Sequence, residues 1–254
     1  MKSIAIYPTN EQVDARNREG LKAVHAARLA EGKIGLLMFE AENNPPQAAR
    51  HRDSGDVGSL QNKTYLAVGC FVVLTANISQ QSKLVNGSVG TVRGFCLKSP
   101  PPAQPEAVIV EFPDYAGAPF FEEAEKRCWV PIEPRLASWK HKKMTCTRKG
   151  LPLKPAYAWT IHKCQGQTFK DIHVVFESSP RNSDGLLYVP LSRCQEVKFL
   201  AMVGATKDKL QRDKTTNKAL KSRIEEEERL TTAATNTKKY YDDNKHAYNT
   251  MFTP

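Results

Sequence analysis

An α/β fold interrupted by an all-β module is what the sequence predicts, and three observations predict it. Ile4-Ala5-Ile6 reads as a short buried strand that Pro8-Thr9-Asn10 breaks before a helical pattern. From Tyr65 to Phe112 the texture changes to short β-rich runs separated by turn residues. After Leu151 the alternation of strand and helix returns. The expected division is 1–60 for a first α/β segment with an insertion loop, 61–150 for the β module, 151–205 for the second α/β segment, and 206–254 for a charged, partly disordered tail.

Each element has a local reason. Thr9 and Gln12 have capping-box spacing, so a helix is expected to start there, carry Val13, Leu21, Val24 and Ala27, and break at Gly20. Ile34 to Glu40 reads as a second strand. Glu42 to Gly58 is polar with Pro45-Pro46 and reads as a loop or insertion. Phe71–Leu74, Val89–Phe95 and Val108–Phe112 read as strands, with Asn86-Gly87 as a hairpin turn and Trp129 to Ile132 as a further strand. The Pro-rich stretch from Ser99 to Pro105 reads as a lengthened loop. Ala156 to Lys163, a buried strand from Ile172 to Phe176, and a compact element from Leu186 to Cys194 complete the second segment. From Thr206 the chain is charged, with Glu225 to Glu228 in a row, and a solvated helix with a disordered end is expected.

Composition narrows the function classes. A chain of 254 residues, 40% hydrophobic and 25% charged, is long enough to bury a real core. No stretch approaches the roughly 20 apolar residues that cross a bilayer. The first residues turn polar too soon for a secretory signal. A soluble intracellular chain is the expectation, with the nucleus placed ahead of the mitochondrion. Cys70, Cys96, Cys128, Cys146, Cys164 and Cys194 form no C-x-x-C pair and no zinc pattern, so reduced, mostly buried thiols and no metal site are expected.

The charge is +10, and its distribution says more than its size. No Asp or Glu occurs between Glu133 and Asp171. That window holds Arg135, Lys140, Lys142, Lys143, Arg148, Lys149, Lys154, Lys163 and Lys170, interleaved with Trp139, Tyr157, Trp159 and Phe169. Cations neutralise phosphates and flat rings stack on unpaired bases, which points to nucleic acid. A solvated basic loop with core aromatics explains the same window equally well.

Three segments carry the chemistry: Thr160-Ile161-His162-Lys163-Cys164-Gln165-Gly166-Gln167-Thr168, Tyr188-Val189-Pro190-Leu191-Ser192-Arg193, and Leu84-Val85-Asn86-Gly87-Ser88-Val89-Gly90-Thr91-Val92. Thr160, His162 and Lys163 set a hydroxyl, an imidazole and a cation within four residues, a set suited to gripping a sugar-phosphate backbone. Gly166 lets the chain turn and bring a backbone N–H to a phosphate. Arg193 offers a planar fork for phosphate charge. Taken singly, each is more often a surface or turn feature.

Their joint order, behind Pro8-Thr9-Asn10-Glu11-Gln12-Val13 with Asn17 on the same helix, resembles the second half of superfamily-one DNA helicases of the Pif/RecD-type branch. The resemblance runs from about Ile4 to Ala205 and is most specific at Thr160–Thr168 and Tyr188–Arg193. It implies a RecA-like parallel-sheet domain, the second domain of a P-loop NTPase motor but without the P-loop, and an inserted SH3-like module. It implies that Thr9, Asn10, Thr160, His162 and Lys163 contact single-stranded DNA. It implies that Gln165, Gly166 and Thr168 link this grip to the nucleotide, and that Arg193 is the arginine completing the ATP site. It also implies 5′-to-3′ unwinding, in DNA repair, recombination or telomere maintenance.

Two parts of the motor are absent from the sequence. The only Gly-Lys pair is Gly32-Lys33, with Ile34 after it and no glycine at the P-loop distance before it, and there is no Asp-Glu dipeptide. ATP and Mg²⁺ are therefore expected only in company of a front RecA-like domain, in the same gene product or on a separate chain, and no ATP hydrolysis is expected from this chain alone. Pro190 stands where the family has a small residue, and Cys164 where it has Ser or Ala. A non-catalytic single-stranded-DNA-binding remnant, from a helicase or a mobile element, is the alternative. A partner-binding protein using the tail is a third reading.

Overall fold

A computed structural model describes residues 3–50, 58–97, 105–141, 144–176, 188–206 and 218–251. Lys142 and Lys143, Pro100 to Pro102 with most of the Ser99–Pro105 stretch, and the start of the Leu186–Cys194 element lie outside the described residues. The chain forms two compact units, residues 1–204 and 205–254.

The first unit holds a four-stranded parallel sheet. Strand β1 (Ile4–Tyr7) feeds helix α1 (Asn10–Ala30). The Gln12 backbone N–H donates to Thr9 Oγ1 at 3.4 Å, and the Thr9 hydroxyl donates to Gln12 Oε1 at 2.8 Å. The cap forms at the residue the spacing predicts. The helix does not break at Gly20. That glycine is buried because the Tyr157 ring lies on it, where a Cβ would meet ring carbons at 2.4 Å. Strands β12 (Ala158–Thr160) and β13 (Ile172–Val175) flank β1 in parallel, and β14 (Leu200–Val203) adds beyond β13. The sheet is assembled from both ends of the unit, as the interrupted pattern requires.

Between these segments lies β structure. Strand β2 (Leu37–Glu40), shorter than the expected Ile34–Glu40, pairs antiparallel with β4 (Lys63–Leu66). The polar stretch from Glu42 is not all loop: Glu42–Asn44 is strand β3, and Pro46–Arg50 is a 3₁₀ turn. A five-stranded antiparallel sheet follows, in the order β11-β5-β6-β7-β8, with β5 (Phe71–Leu74), β6 (Val89–Leu97), β7 (Pro105–Glu111), β8 (Trp129–Ile132) and β11 (Leu153–Pro155). Val72, Leu74, Val92, Val108, Val110 and Ile132 alternate into its core, to which Leu21 of α1 and Tyr157 also contribute.

The basic window is not a loop over its described residues from 135 to 150. Strands β9 (Arg135–His141) and β10 (Met144–Gly150) form a hairpin, and β3 joins β10. Arg148 is fully buried within it. Its Nε donates to Asn43 Oδ1 at 2.9 Å, Nη1 to the Leu60 carbonyl at 2.8 Å and Nη2 to the Ala48 carbonyl at 3.2 Å. One guanidinium thereby ties Asn43, Ala48 and Leu60 to the hairpin through its fork of donors.

All six cysteines are free thiols; Cys70, Cys146 and Cys164 are buried and the other three only partly so. In the second unit, α3 (Lys218–Met251) is a single helix whose side chains are exposed from Lys221 to Asp243. It is the solvated helix the charge pattern predicts, held locally by the Arg229–Glu226 pair at 2.7 Å. The last three residues lie outside the described ones. Among the described residues no helix is long and apolar enough to cross a membrane.

Candidate nucleic-acid interface

The site begins with strand register. β1 and β12 run parallel with Tyr7 opposite Thr160, so their carboxyl ends open at one edge of the sheet. One end runs into the Thr9 cap of α1. The other runs into a 3₁₀ turn, Ile161–Cys164. Such an edge, where strands hand over to turns, is where open α/β sheets bind ligands.

Asn17 aligns the two. From the second turn of α1 its Oδ1 accepts from the backbone N–H groups of Tyr157 at 2.9 Å and Ala158 at 3.0 Å, and its Nδ2 donates to the Ala158 carbonyl at 3.4 Å. The helix that carries Asn10 is thereby locked to the strand that leads to His162.

The 3₁₀ period of three decides which side chains face out. Ile161 and Cys164 point inward, at 1% and 0% exposure, while His162 and Lys163 between them are exposed. The Cys164 thiol donates to the Thr160 carbonyl at 3.3 Å, and burial pushes its pKa up to about 12. It is an anchor and not a nucleophile. Among the described residues no hydrogen bond or ion pair engages the His162 or Lys163 side chain; the His162 carbonyl accepts from Gln165 N–H at 3.4 Å. Gln165 (φ −61°, ψ 129°) and Gly166 (φ +76°) then form a type II turn closed by Gln167 N–H to the Cys164 carbonyl at 3.1 Å. Glycine is required there by backbone conformation.

An open cleft of ≈ 1300 Å³ lies between this edge and the β structure. Asn10, His162, Lys163 and Gln165 from the sheet edge line it together with Lys63, Tyr65 and Asn86 from the β structure. Of the expected contact residues, Asn10, His162 and Lys163 are exposed into it. Thr160 is only 7% exposed, and the Thr9 hydroxyl is engaged in the helix cap.

Of the rings interleaved with the basic window, for which stacking and core packing stand as equal readings, only Trp159 reaches the cleft lining. Tyr157, Trp159 and Phe169 are 8%, 5% and 7% exposed, and Trp159 and Phe169 meet edge to face at 5.3 Å. All three rings are core side chains: Tyr157 packs in the five-stranded sheet's core on Phe71 and Gly20, and Trp159 packs on Phe169.

The cleft also joins two sequence segments. Ser88 N–H donates to the Val85 carbonyl at 2.9 Å, closing the Asn86-Gly87 turn, with Gly87 at φ +98°. This turn leads into β6 rather than directly joining two paired strands. The Gln167 side chain lies against Gly87, where a Cβ would stand 2.6 Å from its Nε2.

Arg193 sits behind the same loop. Helix α2 (Tyr188–Leu191) accommodates Pro190 in its single turn, and Arg193 N–H donates to the Pro190 carbonyl at 3.1 Å. Phe169 N–H donates to the Arg193 carbonyl at 3.0 Å, and Gln195 N–H to the Phe169 carbonyl at 3.1 Å. The loop bearing Gln165, Gly166 and Thr168 is thus stitched by backbone to the arginine. The guanidinium rests on its neighbour, Nη2 donating to Ser192 Oγ at 3.1 Å, and Arg193 does not line the cleft. Among the described residues no group of three or more His, Cys, Asp and Glu side chains is placed to hold a metal ion.

Sequence reasoning missed Lys63, Tyr65 and Gln167 as cleft residues. Their contributions depend on strand pairing and on contacts far apart in sequence, which no local motif announces.

No protein-family model matches the chain. It is 31% identical over 171 residues to the ATP-dependent DNA helicase PIF7 of Trypanosoma brucei brucei, covering 60% of this chain and 17% of that protein. It is 30% identical over 172 residues to the ATP-dependent DNA helicase PIF1 of Danio rerio, covering 66% of this chain and 23% of that protein. The chain therefore spans less than a quarter of either relative's length. Among solved structures, the Pif1 helicase of Candida albicans superimposes with a TM-score of 0.64 at 20% identity, over 91% of this chain and 50% of that one. Bacteroides Pif1 bound to ssDNA gives 0.58 at 18%, over 91% and 46%.

Proposed function

We propose, of a chain that is a Pif-type helicase region, that it grips single-stranded DNA in the cleft at the carboxyl edge of its parallel sheet, as the C-terminal portion of an ATP-dependent 5′-to-3′ DNA helicase. The observation that carries this reading is the outward pair His162–Lys163, unpaired among the described residues and held at the cleft by buried Ile161 and Cys164. A cation and an imidazole on a rigid turn suit a phosphate track, and the net charge of +10 draws a polyanion toward it. A structural relative bound to ssDNA supports the choice of ligand.

The residues present do not fit Mg²⁺–ATP by themselves. The sequence has no G-x-x-x-x-G-K-[ST] loop, and the described side chains offer no metal-binding cluster. In this reading Arg193 serves a nucleotide held by a front RecA-like domain, where an arginine meets charge spread over a transferring phosphoryl group. The backbone stitch from Arg193 to Phe169 would then tie that nucleotide to the DNA grip through Gln165 to Thr168.

The test is anisotropy of a labelled single-stranded oligonucleotide across a salt series, with a His162→Ala/Lys163→Ala control. Salt-dependent binding that falls on the order of tenfold in the control supports the grip. Equal binding by the control overturns it. The alternative reading is a single-strand-binding remnant without a motor cycle. It requires the same grip to ignore ATP when a front-half helicase domain is supplied, whereas the first reading requires ATP to change the affinity.

A further inference from the structure

We infer that Tyr65 is the base-stacking platform of this cleft, the residue that senses unpaired bases where His162 and Lys163 sense only backbone. The inference rests on the proposed single-strand grip and adds to it a recognition element that no motif contains.

Strand alternation supplies the geometry. In β4, Thr64 and Leu66 point inward at 1% and 2% exposure, so Lys63 and Tyr65 point out. Tyr65 is 45% exposed and lines the same cleft as His162 and Lys163. Its cross-strand partner is Met38, 41% exposed, and the next pair on the same face is Glu40 with Lys63, 3.6 Å apart. The ring is therefore carried on a paired ribbon, beside a thioether and a cation, and not on a mobile tip.

The four rings of the basic window are already engaged. Tyr157, Trp159 and Phe169 are in the core, and the Trp139 ring has the Arg148 guanidinium 5.9 Å from its centre. Tyr65 belongs to no core cluster and makes no ring contact among the described residues. A tyrosine has few rotamers to lose, so an exposed, strand-mounted ring is a low-entropy surface for a base. Stacking tolerates every base, which suits a strand-tracking protein.

The experiment uses the whole chain and two labelled single strands of equal length, oligo(dT) and an abasic oligonucleotide with the same phosphates. Tyr65→Ala and Tyr65→Leu are expected to weaken oligo(dT) binding on the order of tenfold, with Tyr65→Phe close to wild type and abasic binding unchanged. His162→Ala/Lys163→Ala is expected to weaken both ligands. Wild-type affinity for oligo(dT) in Tyr65→Leu overturns the inference, as does an equal loss on both strands, which marks a general structural effect. If the His162/Lys163 variant changes neither ligand while Tyr65→Leu still discriminates, the grip reading fails and the stacking site stands. Failure of the wild type to bind either strand overturns both.

Discussion

The side-chain amide of Gln167 covers the α-carbon of Gly87, residues eighty positions apart, closely enough that a Cβ would stand 2.6 Å from Nε2. The contact joins the turn before β6 to the loop after the His162–Lys163 pair, across the cleft. Gly87→Ala is expected to lose about 1–2 kcal/mol from forcing an L side chain to φ +98°. The Gln167 amide is the end of a flexible side chain and swings aside at little cost. Gly87→Ala and Gln167→Gly are therefore expected to be additive in urea unfolding; stability recovered in the pair would mean that the contact resists displacement.

Gly20 reverses a common rule. In an exposed helix interior, Gly→Ala adds about 1 kcal/mol of stability. Here the new methyl would meet the Tyr157 ring at 2.4 Å, against a side chain that also packs edge to face on Phe71 at 5.7 Å. Overpacking of this kind costs about 1–3 kcal/mol, so Gly20→Ala is expected to lower the urea midpoint. A raised midpoint would mean that Tyr157 swings aside freely.

This contrast shows what was legible in the sequence. The Thr9 cap, the Ile4–Ile6 strand and the runs around Phe71, Val89, Val108 and Trp129 rest on interactions within a few residues, and a local pattern finds them. Gly20 suggests a helix break from the sequence because its reason, Tyr157, lies 137 positions away. The hairpin of β9 and β10 was hidden by its lysines. Its inward alternation of Trp139, Cys146 and Arg148 is visible only once a buried arginine is allowed. For the candidate site, the exposed pair His162–Lys163 was named from the motif, but burial of Thr160 and of the three aromatic rings follows from sheet packing. The outward placement of Lys63 and Tyr65 follows from the β2–β4 pairing.

Arg148 is expected to be the most sensitive charged residue of the unit. Removing it leaves Asn43 Oδ1 and the carbonyls of Leu60 and Ala48 without their donor. Arg148→Met fills similar volume but donates nothing, and a buried acceptor left unsatisfied costs about 1–3 kcal/mol. Arg148→Lys is expected to recover only part, because one ammonium cannot span three acceptors held in a planar fork. Hydrogen exchange checks the location: amides of β3 and β10 should lose protection before those of β6 and β7. Uniform loss across both sheets would contradict the assignment.

His173 gives the fold a pH dependence of known sign. It lies in β13 between β1 and β14, and its Nδ1 is 3.0 Å from Ser3 Oγ. Burial first, and then the positive charge of Arg16, lower its pKa below the usual 6.5, although Asp171 pulls the other way. A lowered histidine pKa means that the unfolded chain binds the proton more readily than the folded one. The contribution is therefore fully present above about pH 6.5 and is lost as pH falls from there through the folded-state pKa. His173→Gln keeps a polar side chain without the titration, so its unfolding midpoint should vary less than the wild type's across that acid window. Parallel curves for the two proteins would assign the acid sensitivity to other groups.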